Sequence, residues 1–264
     1  MITKSLTDDL DILSYPGSWS PNEEQIAFLT RDRQSSLMLM DANGTNYVEI
    51  PLSIRNAPTY QYPTPILDWT MDGKNIIFSA GNFFSEPPLK QHVYIVRLED
   101  FQIRQITEAS LGLCGNPIRS PEDNKILVTC KLDSALSSIS SLYVIDLDDQ
   151  FAAPIRIGPS DTSCFEPSWS PDGNQLAFVC DKVTDLMGLF ITDSVGNGIH
   201  EMKLENFAIL KEPVWSPDGK QIVYVAGVDS GHTNIYSISP DGSNNHPVTN
   251  QEAFYSIVAV YPLP

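Results

Sequence analysis

Apolar residues in this chain fall in short runs, rich in β-branched and aromatic side chains, that recur at nearly constant intervals. One set reads Gln25-Ile26-Ala27-Phe28, Asn75-Ile76-Ile77-Phe78, Lys125-Ile126-Leu127-Val128, Gln175-Leu176-Ala177-Phe178 and Gln221-Ile222-Val223-Tyr224. Runs this short, bounded by turn residues, predict strands packed between neighbouring sheets. A second set follows the first in order: Leu37-Met38-Leu39-Met40, Val93-Tyr94-Ile95-Val96, Leu142-Tyr143-Val144-Ile145, Leu189-Phe190-Ile191-Thr192 and Ile235-Tyr236-Ser237-Ile238. Each of these leads into a turn, as in Asp41-Ala42-Asn43-Gly44, Val195-Gly196-Asn197-Gly198 and Ser239-Pro240-Asp241-Gly242. More polar segments such as Gln105-Ile106-Thr107 and Pro247-Val248-Thr249 then predict a fourth strand at the rim of the unit.

Ahead of the first set stands a repeated phrase, clearest in Pro167-Ser168-Trp169-Ser170-Pro171-Asp172-Gly173 and Pro213-Val214-Trp215-Ser216-Pro217-Asp218-Gly219. Its second Pro (Pro171, Pro217) presets φ at the second turn position, Asp bonds its own backbone, and Gly173 and Gly219 close the turn without steric cost. A hairpin is therefore expected between the strand that ends at the Trp and the strand after the turn. The tryptophans Trp19, Trp69, Trp169 and Trp215 are spaced by 50, 100 and 46 residues. Midway through the long gap, Ile118-Arg119-Ser120-Pro121-Glu122-Asp123 is a degenerate copy with Arg119 in place of Trp. Four antiparallel strands per unit, repeated at this period, predict an all-β propeller of five complete blades. The repeats run approximately over 17–56, 67–107, 117–158, 167–203 and 213–249, and 1–264 reads as one domain.

The ends are half-repeats. Thr107 precedes Arg119 by 12 residues, and Thr249 precedes Tyr261 by the same interval, as Thr7 precedes Trp19. Residues 1–7 therefore read as a lone fourth strand, and 258–264, with Ala259-Val260-Tyr261, as a lone first strand. That leaves open a second arrangement, a six-bladed ring with an incomplete last blade.

These phrases resemble the WD40-like (PD40) repeat of TolB-type propellers, whose blades carry a Pro-x-Trp-Ser-Pro-Asp-Gly stretch, an Ile-Ala-Phe-like strand, an Ile-Tyr-like strand and a terminal Leu-Thr. The resemblance covers nearly the whole chain. It is weaker at 67–78, where Met71 replaces the turn Pro, and at 117–128, where Glu122-Asp123 stands for Asp-Gly. It implies the blade architecture, and it implies no single function, because such propellers are found as protein-binding modules, as non-catalytic domains of prolyl-oligopeptidase-like peptidases and occasionally as enzymes.

Charge narrows the partners. A formal net charge of −17, from 33 acidic and 16 basic residues, argues against nucleic acid, which needs clustered Lys and Arg, and against anionic membranes. No segment approaches the roughly 18 apolar residues of a membrane span, and residues 1–9 lack the apolar core of a signal peptide. As written, the chain is expected in the cytoplasm, or in the periplasm or extracellular space if an export signal has been removed.

Candidate chemistry sits in the looser loops. The segments 54–65 and 79–91 hold Tyr60, Tyr62, Phe83 and Phe84 in Pro-stiffened stretches, and they form the first candidate for a recognition patch, since exposed rings lose little entropy on binding. Packing of the loops onto the blade is the plainer reading of the same rings. Asp8, Asp9, Asp11, Asp161 and Glu205 are weak candidates for a Ca²⁺ site, which takes six to eight oxygens; a solvated acidic face is the simpler account. Asp72, Asp172, Asp218 and Asp241 are assigned to turn chemistry. Cys114 and Cys164 share one repeat position, and Cys130 and Cys180 another, where other blades place Thr30, Ala80 and Ala226. Packed free thiols are the expected state, with disulfides Cys114–Cys130 and Cys164–Cys180 the alternative in an oxidising compartment. His92, His200, His232 and His246 are scattered over three blades. No Walker loop, Rossmann fingerprint, nucleophile elbow or zincin helix occurs.

The function expected is a non-catalytic protein- or peptide-binding scaffold that uses its loop face and central channel, without a cofactor. Two alternatives remain: a propeller hydrolase or lyase with carboxylates or His at the channel mouth, and the accessory propeller of a peptidase.

Overall fold

The computed structural model describes residues 17–30, 36–50, 67–81, 91–132, 139–149, 151–181, 186–204, 207–229, 231–250 and 255. Regular structure among them is strand throughout, apart from a short 3-10 turn at Ala109–Leu111. Five four-stranded antiparallel sheets form in chain order. The first holds β1 (Ser18–Trp19), β2 (Gln25–Leu29), β3 (Leu37–Asp41) and β4 (Val48–Ile50). The second holds β5 (Leu67–Trp69), β6 (Asn75–Gly81), β7 (Gln91–Arg97) and β8 (Ile103–Gln105), and the third β9 (Leu113–Arg119), β10 (Lys125–Lys131), β11 (Ser140–Asp146) and β12 (Ile155–Ile157). The fourth holds β13 (Cys164–Trp169), β14 (Gln175–Asp181), β15 (Met187–Asp193) and β16 (His200–Glu201), and the fifth β17 (Ile209–Trp215), β18 (Ile222–Asp229), β19 (His232–Ile238) and β20 (His246–Pro247). Two compact units divide the chain: Met1–Arg119 with Val128–Ala135, and Ser120–Leu127 with Leu136–Pro264. The third sheet contributes strands to both.

One clip closes every first hairpin. The amides of Ser20, Thr70, Ser120, Ser170 and Ser216 donate to the carbonyls of Gln25, Asn75, Lys125, Gln175 and Gln221 at 2.8–3.0 Å. In four blades the residue at the same position uses its hydroxyl twice: Ser20 donates it to Asn22 Oδ1 at 2.7 Å and accepts the Gln25 amide at 2.9 Å. Thr70, Ser170 and Ser216 donate it to Asp72, Asp172 and Asp218 at 2.6–2.7 Å and accept the amides of Asn75, Gln175 and Gln221. The turn then needs a left-handed residue, and Gly73, Gly173 and Gly219 supply it at φ of 65° to 68°. In the first blade Glu23 takes that conformation at φ 60°, which is costlier for a residue with a side chain than for Gly. A Cβ added at Gly173 would also come within 3.2 Å of Glu122, so this turn packs on the turn before it.

Register follows from the clip. Ile76 faces Val96 and Phe78 faces Tyr94, and in the fourth blade Phe178 faces Phe190. These pairs, with Tyr224 and Tyr236, stack their rings at 5.6–5.9 Å in three blades. The second strands are buried on both faces, which is why they read as continuous apolar runs. Within the first unit Ala27, Leu29, Leu37 and Ile50 pack on Leu67, Trp69, Ile76 and Phe78. Within the second, Ala177, Val179, Leu189 and Ile191 pack on Leu210, Trp215, Ile222 and Tyr224.

The fourth strands differ from expectation. Their ladders stop at Gln105 and Pro247, two residues short of the terminal Thr. The Thr107 and Thr249 hydroxyls accept the amides of Val93 and Ile235 at 3.0 and 2.9 Å, so a side chain finishes what the ladder leaves. Short edge strands, one ending in Pro, limit edge-to-edge pairing.

The cysteines correct the expectation of packed free thiols. Cys114–Cys130 and Cys164–Cys180 are both bonded, each across 16 residues. Cys164 lies directly opposite Cys180 in the antiparallel ladder, so pairing of the first two strands brings the two sulfurs together. Thr30, Ala80 and Ala226 fill the second position in the remaining blades, each buried.

Two outcomes follow. Alkylation of the denatured, unreduced chain should label no cysteine, and replacing Cys164 and Cys180 by Ser should cost about 3 kcal/mol in equilibrium unfolding, as closure of a loop this long implies. The turn aspartates set the acid limb of stability. Hydrogen bonds from Ser170 and the Asn174 amide hold Asp172 below the usual carboxylate range, and Ser216 and the Lys220 amide do the same for Asp218. At Asp72 burial works upward, but the Thr70 hydroxyl and the Lys74 amide outweigh it. A lowered folded-state pKa gives stability that is present above the unfolded value and lost as pH falls, so wild type should weaken below about pH 4. A variant with Asp172→Asn and Asp218→Asn should show a flatter limb there in urea melts.

Candidate functional site

Most residues singled out from the sequence as binding or metal candidates lie outside the described residues: Tyr60, Tyr62, Phe83, Phe84, Asp8, Asp9, Asp11 and Glu205. Asp161 is described and exposed. The histidines take local roles: His200 with the Gly198 carbonyl at 3.2 Å, His246 with the Asn244 carbonyl at 2.7 Å, His92 near Thr107 and His232 against Asp229. Among the described residues no three His, Cys, Asp or Glu side chains gather as metal ligands would. The aspartates Asp72, Asp172, Asp218 and Asp241 all accept bonds from their own turns.

The structure draws attention instead to the first strands. Asn116, Glu166 and Glu212 have left-handed backbone, at φ 52°, 50° and 54°, and each precedes a Pro of the repeated phrase. That conformation is costly for a residue with a side chain, of the order of 1–3 kcal/mol. The reason is a bulge. Pairing of β13 with β14 shifts between Phe165 and Ser168, and that of β17 with β18 between Lys211 and Val214, which inserts Glu166-Pro167 and Glu212-Pro213 into the ladder. Proline has no amide to donate, so the bulge absorbs it.

In the second unit this row joins. The Glu212 amide donates to Glu166 Oε2 at 2.5 Å, and Lys211 Nζ lies 3.1 Å from Glu212 Oε1. Burial pushes the Glu166 carboxyl above its usual range; the Glu212 amide draws it down, the Glu212 charge adds to the rise and Lys211 opposes it. Glu166 nevertheless keeps an exposed surface. The arrangement is a polar acceptor with a cation beside it, suited to hydrogen bonding and to basic groups. Sequence reasoning missed it, although the Glu-Pro pair before the Trp phrase in two repeats, with Asn-Pro in a third, was the available signal.

A second feature lies in the first unit. The Trp69 indole donates to the Ser18 carbonyl of the preceding first strand at 3.0 Å and is fully buried. Trp169 and Trp215 are also buried, while Trp19 is 54% exposed. Where the third blade has Arg119 instead, the residue before Trp69 is Asp68. Asp68 Oδ2 accepts the Arg119 amide at 3.2 Å, Oδ1 accepts the Trp69 amide at 2.8 Å and the Ser18 hydroxyl at 3.4 Å, and Arg119 Nε stands 3.7 Å from Oδ1. One carboxylate thus touches the first strands of three successive blades. Burial pushes it above the usual range, against the two amides, the Arg119 charge and the Ser18 hydroxyl.

No protein-family model and no curated protein sequence matches the chain. Solved structures do. A putative TolB from Agrobacterium tumefaciens aligns with a TM-score of 0.62 at 16% identity, over 92% of this chain and 82% of that one. TolB from Acinetobacter baumannii aligns at 0.60 and 19% identity over 92% of this chain, which spans only 55% of that protein. An oligogalacturonate lyase in complex with manganese aligns at 0.66 and 16% identity, over 91% and 66%. Together with the five sheets, these likenesses define the class: the chain is an all-β propeller with four-stranded antiparallel blades and a TolB-like fold. No helix among the described residues is long and apolar enough to cross a membrane.

The Asp68–Arg119 pair makes a test of coupling. Asp68→Ser or Arg119→Trp alone should each cost about 1–3 kcal/mol, because each leaves the other partner without its counterpart. The double variant restores the residues found elsewhere in the repeat, Ser18 before Trp19 and Ser168 before Trp169. It should unfold within about 1 kcal/mol of wild type, and a double-mutant cycle in urea measures the difference.

Proposed function

We propose that the chain is a non-catalytic scaffold that binds a protein or peptide segment through the first strands of its blades and the loops beside them. The observation that supports this reading is the repeated bulge. Asn116, Glu166 and Glu212 hold costly backbone conformations at one repeat position, and Asn116 and Glu166 remain exposed there. A strained polar position kept in three blades serves recognition better than packing. The charge of −17 adds a preference for neutral or basic segments, and it disfavours nucleic acid. Tyr60, Tyr62, Phe83 and Phe84 would add apolar anchors. No cofactor and no membrane insertion enter this reading. The two disulfides favour a periplasmic or extracellular setting over the reducing cytosol.

The test is capture from a randomised peptide pool by the immobilised chain, in parallel with Glu166→Gln/Glu212→Gln and with Tyr60, Tyr62, Phe83 and Phe84 changed to Ser. Wild type should retain a defined subset, and each multiple variant should lose about tenfold in retention with an unchanged circular dichroism spectrum. Failure of wild type to retain any peptide, or equal retention by both variants, would overturn the proposal.

A further inference from the structure

We propose that Arg119 receives a single carboxylate of the bound segment, the C-terminus of a peptide chain, and that Asp68 is the positioning residue that aims it. This deepens the peptide-binding reading and rests on it. The repeat itself isolates Arg119: four equivalent positions carry Trp, and one carries a guanidinium. Its side chain is 32% exposed where Trp69 is fully buried. Asp68 holds it by the base, through the Arg119 amide at 3.2 Å and Nε at 3.7 Å. Among the described residues neither Nη1 nor Nη2 has a partner.

A guanidinium whose Nε edge lies beside a carboxylate at ion-pair distance keeps its outer edge for a second, planar acceptor, which is the geometry a carboxylate matches with two parallel hydrogen bonds. The pair is a poor candidate for pure stabilisation. Desolvating a carboxylate costs about as much as a partly buried ion pair returns, and in the second blade the Trp69 indole fills the equivalent place with a bond to the Ser18 carbonyl and without that cost. Departures from a local rule that bring no evident gain in stability gather at functional positions. The ligand class follows from charge. A chain at −17 repels polyanions, so the acceptable anion is one isolated charge on an otherwise neutral or basic segment.

The test uses the full chain and two randomised hexapeptide pools, one with free C-terminal carboxylates and one amidated. Wild type should retain the free-acid pool about tenfold better than the amidated one, the gain of one charge-assisted bidentate contact. Arg119→Gln should abolish the discrimination while retaining peptides of both pools, Arg119→Lys should keep part of it, and Asp68→Asn should reduce it by roughly threefold without shifting retention of amidated peptides. The Asp68→Ser/Arg119→Trp double variant, which carries the repeat's own residues, guards against a folding defect and should also fail to discriminate. Equal retention of both pools by wild type, or discrimination that survives Arg119→Gln, overturns the carboxylate site and leaves peptide binding standing. Retention of neither pool removes both.

Discussion

The hairpin clip between the first and second strands of each blade is the interaction on which the rest depends. A backbone amide bonds a carbonyl five residues on in all five blades, and in three of them a hydroxyl is shared between the turn carboxylate and the amide of the next strand. That clip sets register. A slip of one residue would turn Ile76 and Phe78, or Leu176 and Phe178, to the opposite faces of their sheets. Because the second strand is buried on both sides, no register but one leaves it apolar contact on each face. The ring stacks of Phe78 with Tyr94 and Phe178 with Phe190 then follow from the strand pairing and need no separate cause.

Regularity in the clip makes departures elsewhere informative. The bulges at Glu166-Pro167 and Glu212-Pro213 break the ladder four residues before the clip and return it to register by the Trp. The first strand therefore pairs with its neighbour on both sides of a two-residue interruption, and the polar side chains of Glu166 and Glu212 stand at that interruption. Arg119 is a departure of another kind. It gives up an indole contact for an ion pair with Asp68, and the two changes come together, one on each of two successive blades. Asp68 also reaches Ser18, so a substitution at one repeat position is accommodated by three strands.

Much of this was open to a reader of the chain. The strand runs, the turns, the five units and the role of Asp172 and Asp218 in their turns all follow from period and turn chemistry. The second and third strands came out longer than the apolar runs, since polar residues such as Gln91 and Ser140 extend the ladder without altering the pattern. The fourth strands came out displaced because a Thr hydroxyl can do the work of a ladder bond, and composition does not distinguish the two. Glu166 and Glu212 were visible as letters before Pro, but nothing in a linear pattern shows which residue of a strand will be pushed into left-handed backbone.

What the sequence determined by itself is the local geometry: where strands start, which turns join them, how many units repeat and where a unit breaks its rule. These are short-range matters, decided within a few residues by φ preference, alternation and side-chain reach. The tertiary structure alone decided the matters that need two strands at once. It joined Cys114 to Cys130 and Cys164 to Cys180 where packed thiols were expected, it set Glu166 against the Glu212 amide 46 residues away, and it placed Asp68 against Arg119 across 51. A bond or a charge contact depends on distances of a few ångströms between chain segments, and only the packed blades set those distances.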